Sequence, residues 1–231
     1  MKTRRNMAIL VAAGTGDRME NKLPKQFIDL AGKPIAAYSL DLFERCRLID
    51  EVVLVVAEDY LVYASQELVD KFSYKKVNKI TTGGETRQES VFAGLSACPP
   101  SADIVAIHDA ARPLLTMGLL EEVIEKALQA KAAIPAVPAN ESVKLSDGQE
   151  VIRTLKRDTV WFAQTPQVFR FDEILSAHRR AEAALYEATD DSELYEQYCG
   201  RVTIIRGSHQ NIKITTPADL VLAREIIGGL K

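Results

Sequence analysis

Met7-Ala8-Ile9-Leu10-Val11-Ala12-Ala13-Gly14-Thr15-Gly16-Asp17-Arg18-Met19 is an apolar run that stops on a glycine turn. A strand that delivers its backbone into such a turn can bring N–H groups close to a phosphate. Short runs rich in Val and Ile recur at residues 51–57, 78–82, 103–107, 132–137 and 201–206. Each is bounded by Gly, Asp or Pro, and each reads as a strand together with 7–13. Between them, residues 34–45, 60–71, 86–97, 117–130 and 171–188 carry helical spacing. Pro34 suits a first helical turn, and Thr216 before Pro217 suits the cap and first turn of a last helix. Strand alternating with helix predicts parallel pairing, right-handed crossovers and a doubly wound, mostly parallel α/β sheet. In such sheets ligands sit beyond the carboxyl ends of the strands, near the point where strand order reverses.

One segment departs from the alternation. Residues 140–145 and 150–155 are two period-2 runs around Ser146-Asp147-Gly148-Gln149, a hairpin pattern. A two-stranded hairpin is marginal alone, so residues 138–160 are expected to protrude from a single domain spanning 1–231 and to pack on a second subunit. A lid over the pocket is the alternative use.

Composition narrows the function. The 231 residues carry a formal net charge of −3, which argues against a broad basic face for nucleic acid. Cys46, Cys98 and Cys199 are widely spaced, a pattern of neither a disulfide framework nor a zinc site. The apolar run after Met7 is short for a signal peptide, and no run approaches the roughly 20 residues of a membrane span. The chain is therefore expected in the cytoplasm, without membrane or nucleic-acid partners.

The residues after the strands are where chemistry is sought. Gly14 and Gly16 lie beside Arg18 and, a little further on, Leu23-Pro24-Lys25-Gln26. Met19 stands where a dinucleotide fingerprint has its third glycine, and no Gly-Lys-Ser/Thr of a P-loop follows. What remains is a glycine turn with two cations, suited to a triphosphate whose charge builds during displacement. Gly83-Gly84-Glu85-Thr86-Arg87-Gln88-Glu89-Ser90 follows the third strand, and Gly84 lets backbone approach a flat base. Arg87 reads equally well as a solvated charge beside a helix cap. His108-Asp109-Ala110-Ala111-Arg112-Pro113 follows the fourth strand; an aspartate there can hold Mg²⁺, while His108 reads as a packed, hydrogen-bonded ring. Asn211-Ile212-Lys213 precedes the last helix, with Lys213 near the turn after an apparent strand.

These strings, in this order, resemble the sugar-phosphate nucleotidyltransferases, and among them the 2-C-methyl-D-erythritol 4-phosphate cytidylyltransferases of non-mevalonate isoprenoid synthesis. The resemblance runs from about residue 8 to 227. It implies a Rossmann-like nucleotidyltransferase acting as a homodimer on CTP and a small sugar-alcohol phosphate, with Mg²⁺ as cofactor and pyrophosphate as leaving group. It implies Arg18, Lys25 and Lys213 as catalytic cations, and Ala12, Ala13, Gly14, Gly16, Gly84, Glu85, Ser90, Asp109 and Ala110 around CTP. Arg112, Ser142, Arg157, Thr165 and Thr189 would hold the sugar phosphate, with Ser142 and Arg157 reaching in from the neighbouring subunit. Asp109 would be the metal ligand. Two departures stand out: Ser142 replaces a common Thr, and Gln210 replaces a common acidic residue. Ribitol 5-phosphate is the rival acceptor, and a non-catalytic nucleotide-binding module on the same fold is the rival function.

Overall fold

A computed structural model describes residues 5–14 and 23–229. Its centre is β1 (Arg5–Ala12), which pairs in parallel with β4 (Glu51–Val56) on one side and β6 (Ala102–Asp109) on the other. Beyond β4 lies β5 (Val77–Thr82), again parallel. Beyond β6 comes β11 (Gln167–Arg170), antiparallel to both β6 and β7 (Ala132–Pro138), so β7 runs with the other parallel strands. The outer edge is β12 (Thr203–Arg206), parallel to β7. The expected mostly parallel α/β sheet is present, with one antiparallel interruption that the alternation did not announce.

That interruption is a broken strand. β10 (Trp161–Ala163) pairs with residues 136–138 of β7, whereas β11 pairs with residues 132 and 133. Both lie along the same edge of β7, separated by Gln164, Thr165 and the cis Thr165–Pro166 bond. A proline cannot donate to a ladder, so the pairing breaks there. At the break the Gln164 N–H still reaches the Pro135 carbonyl of β7 at 2.8 Å, and the Thr165 hydroxyl meets the Asp109 N–H at the end of β6.

Both faces of the sheet are covered, as a parallel sheet requires. Ala8, Leu10 and Ala12 of β1 share one core with α1 (Ile35–Arg45) and α4 (Met117–Ala130). Met7 and Ile9 share the other with α3 (Arg87–Ala97), α5 (Phe171–Ala184) and α6 (Asp191–Tyr198). α7 (Pro217–Gly229) packs Ala223 beside Leu30, Ile35, Leu114 and Ile214. The expected helix at 60–71 is irregular: a 3₁₀ turn, the single turn α2 (Leu61–Tyr63), then a π-helical stretch over Ala64–Asp70. The helix expected to run to residue 188 stops at Ala184, where Leu185 takes a left-handed conformation with φ 51°.

Two small hairpins complete the molecule. β2 (Asp29–Leu30) and β3 (Lys33–Pro34) lead into α1. β8 (Lys144–Ser146) and β9 (Val151–Thr154) form the hairpin read from the Asp-Gly turn, shorter than the runs 140–145 and 150–155. Every residue of β8 and β9 is exposed, and the two strands form a sheet separate from the main one.

Candidate active site

The chain passes from β1 to β4 and β5 on one side, then returns to β6 on the other side of β1. Strand order therefore reverses between β1 and β6, and the carboxyl ends of these two strands diverge around a crevice. An open cavity of about 590 Å³ occupies it, lined among others by Ala12, Ala13, Gly14, Lys25, Gly84, Glu85, Ser90, Asp109, Ala110 and Lys213. Eight of the nine residues expected around CTP share this wall with two of the three expected cations. Gly16 and Arg18 lie outside the described residues.

Local folding explains the placement. Thr86 caps α3: its hydroxyl accepts from the Glu89 N–H while the Glu89 carboxylate accepts from the N–H groups of Glu85 and Thr86. Such a reciprocal cap contributes about 1 kcal/mol and fixes the turn before the helix. Ser90, buried one turn into α3, donates to the Thr86 carbonyl at 2.9 Å and accepts from the Gly84 N–H at 3.2 Å. The turn approaches the end of β1 so closely that a Cβ on Gly83 would stand 2.5 Å from that of Ala13. Only glycine permits that contact.

Asp109 is the electrostatic centre. Its side chain is only 10% exposed, with Arg87 Nε 2.9 Å from one oxygen and Lys213 Nζ 2.6 Å from the other. Burial by itself would raise its pKa; the two cations outweigh that and hold the carboxyl well below the usual carboxylate range. Arg87 extends the chain of charge, since its Nη2 lies 2.8 Å from the buried Asp191, whose other oxygen faces His178 Nε2 at 3.2 Å. Burial pushes Asp191 upward too, and Arg87 and His178 bring it below its ordinary value. Arg87 is thus no solvated charge but the link between two buried carboxylates. Sequence reading missed this because the partner Asp191 is 104 residues away.

A second cavity of about 500 Å³ adjoins the first and shares Arg87, Asp109 and Lys213 with it. Arg112, Thr165 and Thr189, three of the five residues expected at the sugar phosphate, line it together with Gln164 and Asp190. The ring of His108 braces this side. Its Nε2 donates to the Arg112 carbonyl at 3.1 Å, and its Nδ1 meets the Thr165 hydroxyl at 2.9 Å. Thr165 also accepts from the Asp109 N–H at 3.1 Å. Burial lowers the pKa of His108 to about 4, so the ring is neutral at pH 7. Asn211, fully buried, donates to the Thr165 carbonyl at 2.9 Å and accepts from Arg112 Nη1 at 2.7 Å through its own carbonyl. The segment between β12 and Lys213 is an irregular loop. The Ile214 N–H holds it to the Ala111 carbonyl at 2.8 Å.

Ser142 and Arg157 line neither of these cavities. Both are exposed near the base of the protruding hairpin, where Arg157 Nη1 donates to the Asn140 carbonyl at 3.2 Å. Gln210 is exposed and points no carboxylate at Asp109. Among the described residues no three His, Cys, Asp or Glu side chains gather as a metal cage. A divalent cation at Asp109 would therefore have to take most of its oxygen ligands from a nucleotide and water.

Two adjoining cavities around one carboxylate and two or more cations suit a reaction between two anions. The family model described as 2-C-methyl-D-erythritol 4-phosphate cytidylyltransferase matches residues 6–229. A relative of that name from Alkaliphilus oremlandii is 43% identical over 220 residues, covering 95% of this chain and 93% of its own. Another, from Pelotomaculum thermopropionicum, is 44% identical over 222 residues with coverage of 95% and 93%. The crystal structure of 4-diphosphocytidyl-2C-methyl-D-erythritol synthase from Anaerococcus prevotii superposes with a TM-score of 0.85 at 31% identity, covering 97% of this chain and 96% of that one. Sharing its fold with that structure and nearly its whole length with those sequences, the chain belongs to the 2-C-methyl-D-erythritol 4-phosphate cytidylyltransferase family.

Proposed function

We propose that the chain transfers CMP from CTP to 2-C-methyl-D-erythritol 4-phosphate, releasing pyrophosphate and giving 4-diphosphocytidyl-2-C-methyl-D-erythritol in non-mevalonate isoprenoid synthesis. The observation that carries this reading is the pair of cavities meeting at Asp109, Arg87 and Lys213. The first takes CTP, with the base against the Gly84–Ser90 turn and the triphosphate along the glycine turn of β1. The adjoining one takes the acceptor, with Arg112 on its phosphate and Thr165 and Thr189 beside its polyol chain.

A phosphate monoester near −2 must attack the α-phosphorus of a triphosphate near −4. Such anions repel unless cations stand around both. Lys25 and Lys213 occupy the nucleotide wall and Arg112 the acceptor wall; Arg18, outside the described residues, joins them in this reading. The attacking phosphate is already ionised, so no general base is required, and positioning with charge stabilisation carries the step. Asp109 and the triphosphate oxygens would hold Mg²⁺, whose chemistry is to neutralise phosphate charge.

The arm belongs to a homodimer in this reading. Val151, Ile152 and Phe162 are more than half exposed, and Leu145 and Trp161 are exposed beside them. Burying that apolar surface against a second copy would bring Ser142 and Arg157 to the partner's acceptor cavity. In this reading the enzyme works in the cytoplasm, on dissolved, charged metabolites.

The test is pyrophosphate release from CTP with Mg²⁺, supplied with methylerythritol phosphate or ribitol 5-phosphate. Release with the first and little with the second is expected, and chelation of the metal should stop it. Release only with ribitol 5-phosphate would move the chain to the rival acceptor; none with either would leave a binding module.

A further inference from the structure

Thr165 and Thr189 both line the second cavity, and each has already committed its hydroxyl hydrogen inside the protein. The Arg112 carbonyl can only accept, so His108 donates to it through Nε2 at 3.1 Å. A neutral ring has one such hydrogen, which leaves Nδ1 a bare lone pair. The Thr165 hydroxyl, 2.9 Å from that lone pair, must therefore donate to it. The same oxygen accepts from the Asp109 N–H at 3.1 Å, so it keeps one lone pair and no hydrogen. Thr189 reaches the same condition by another route. Its hydroxyl lies 2.8 Å from Oε2 of Glu193, a carboxylate that accepts and cannot donate. The Thr189 N–H at 2.8 Å and the Tyr186 hydroxyl at 2.7 Å hold that carboxylate in place. Gln164, which lines the same cavity, gives its amide hydrogens to the carbonyls of Ser208 at 2.8 Å and Asn211 at 3.4 Å. Three side chains thus offer a ligand oxygen lone pairs alone. A phosphate monoester dianion also has only lone pairs and finds no partner in them. An alcohol hydroxyl does, because it can donate.

We propose that His108 and Glu193, neither of which lines the cavity, are positioning residues that each take a threonine's hydrogen, so that the threonines read donating hydroxyl groups on the acceptor's carbon chain. The inference rests on reading this cavity as the acceptor site. The acceptor's phosphate is left to Arg112 and Lys213, the cations that line the same cavity.

The experiment measures kcat/KM at pH 8, with saturating CTP and Mg²⁺, for methylerythritol phosphate and for analogues with each hydroxyl in turn replaced by hydrogen or by fluorine. Fluorine resembles oxygen in size and cannot donate. At a hydroxyl read by either threonine, both replacements are expected to lower kcat/KM about tenfold, the fluoro analogue at least as much as the deoxy one. Thr189→Val, at an exposed position, should lose about tenfold with the natural acceptor and stay within about twofold of wild type with the analogue lacking its partner hydroxyl. Methyl phosphate, which has no hydroxyl on carbon, should compete with the acceptor equally well in both proteins. Glu193→Ala frees the Thr189 hydrogen and should lift the fluoro analogue above the deoxy one at that position. Equal losses for the two analogues in folded Glu193→Ala would overturn its role, and should that variant fail to fold, Thr189→Val decides. Fluoro analogues that keep the parent's activity at every position would overturn the proposal, as would a Thr189→Val protein that loses methyl phosphate in step with the acceptor. A wild-type protein that cytidylylates neither the natural acceptor nor any analogue would instead refute the reading of the cavity itself.

Discussion

Lys213 Nζ lies 2.6 Å from Oδ2 of Asp109, so a cation assigned to the reacting phosphates is paired with the carboxylate assigned to the metal. Both residues line both cavities. A metal–nucleotide complex held at Asp109 would supply positive charge to the carboxylate and negative charge to the lysine, and Lys213 would then be free to turn toward the phosphates. With Arg87 on the other oxygen, Asp109 stays ionised and in place throughout.

Replacing Arg87 with Met leaves Asp109 and Asp191 as carboxylates 10% and 1% exposed without their shared cation. Breaking a buried pair from one side costs about 3 kcal/mol or more. Urea denaturation at pH 7 should show that loss, and Arg87→Lys should recover only part of it because a lysine cannot span both carboxylates.

The pH dependence of stability should carry a signature of His108. Its folded pKa of about 4 is depressed below its ordinary 6.5, so the unfolded chain binds the proton first. Stability is full above the unfolded value and is lost as pH falls from there through the folded value, by up to about 3 kcal/mol. Denaturation of wild type and His108→Gln at pH 7 and pH 5 checks this: the variant should lack that part of the decline.

Gly83→Ala should damage the nucleotide site more than the fold. The new methyl would stand 2.5 Å from Ala13 Cβ and 2.6 Å from Ser90 Oγ, forcing apart β1 and the base-reading turn. Overpacking of this kind costs about 1–3 kcal/mol. The expected result is a KM for CTP raised about tenfold or more, with the KM for the acceptor nearly unchanged.

The arm makes a separate prediction. Ile152 is 61% exposed on β9, and Ile152→Asp should shift the sedimentation behaviour from two chains toward one. Activity should fall with it, chiefly through the acceptor KM, and Arg157→Ala should reproduce that kinetic effect without dissociating the dimer. A monodisperse monomer with full activity would contradict the shared-site arrangement.

Much of this was legible in the sequence because parallel strands write themselves as unbroken apolar runs. β1, β4 and β6 are buried on both faces, and the apolar stretches of β1 and β6 end at residues that line the cavity. β10 and β11 were not legible: they have three and four residues, stand either side of Pro166, and include Gln167 and Arg170. α6 was missed because its eight residues, Asp191–Tyr198, are mostly polar, although Asp190 accepts from the Glu193 N–H as an ordinary cap. Lys25, Asp109 and Lys213 announced themselves through their strings. Arg87 did not, because its role is set by Asp191, which only the fold brings near.

The central claim is that side-chain cations on the glycine-lined cavity make the encounter of two anions possible. Single-turnover formation of the cytidylylated acceptor, with Lys25→Ala saturated in CTP and methylerythritol phosphate, tests it most directly. A rate lowered about 10²–10³-fold with both substrates still bound is the predicted result. A rate within a few-fold of wild type would contradict it.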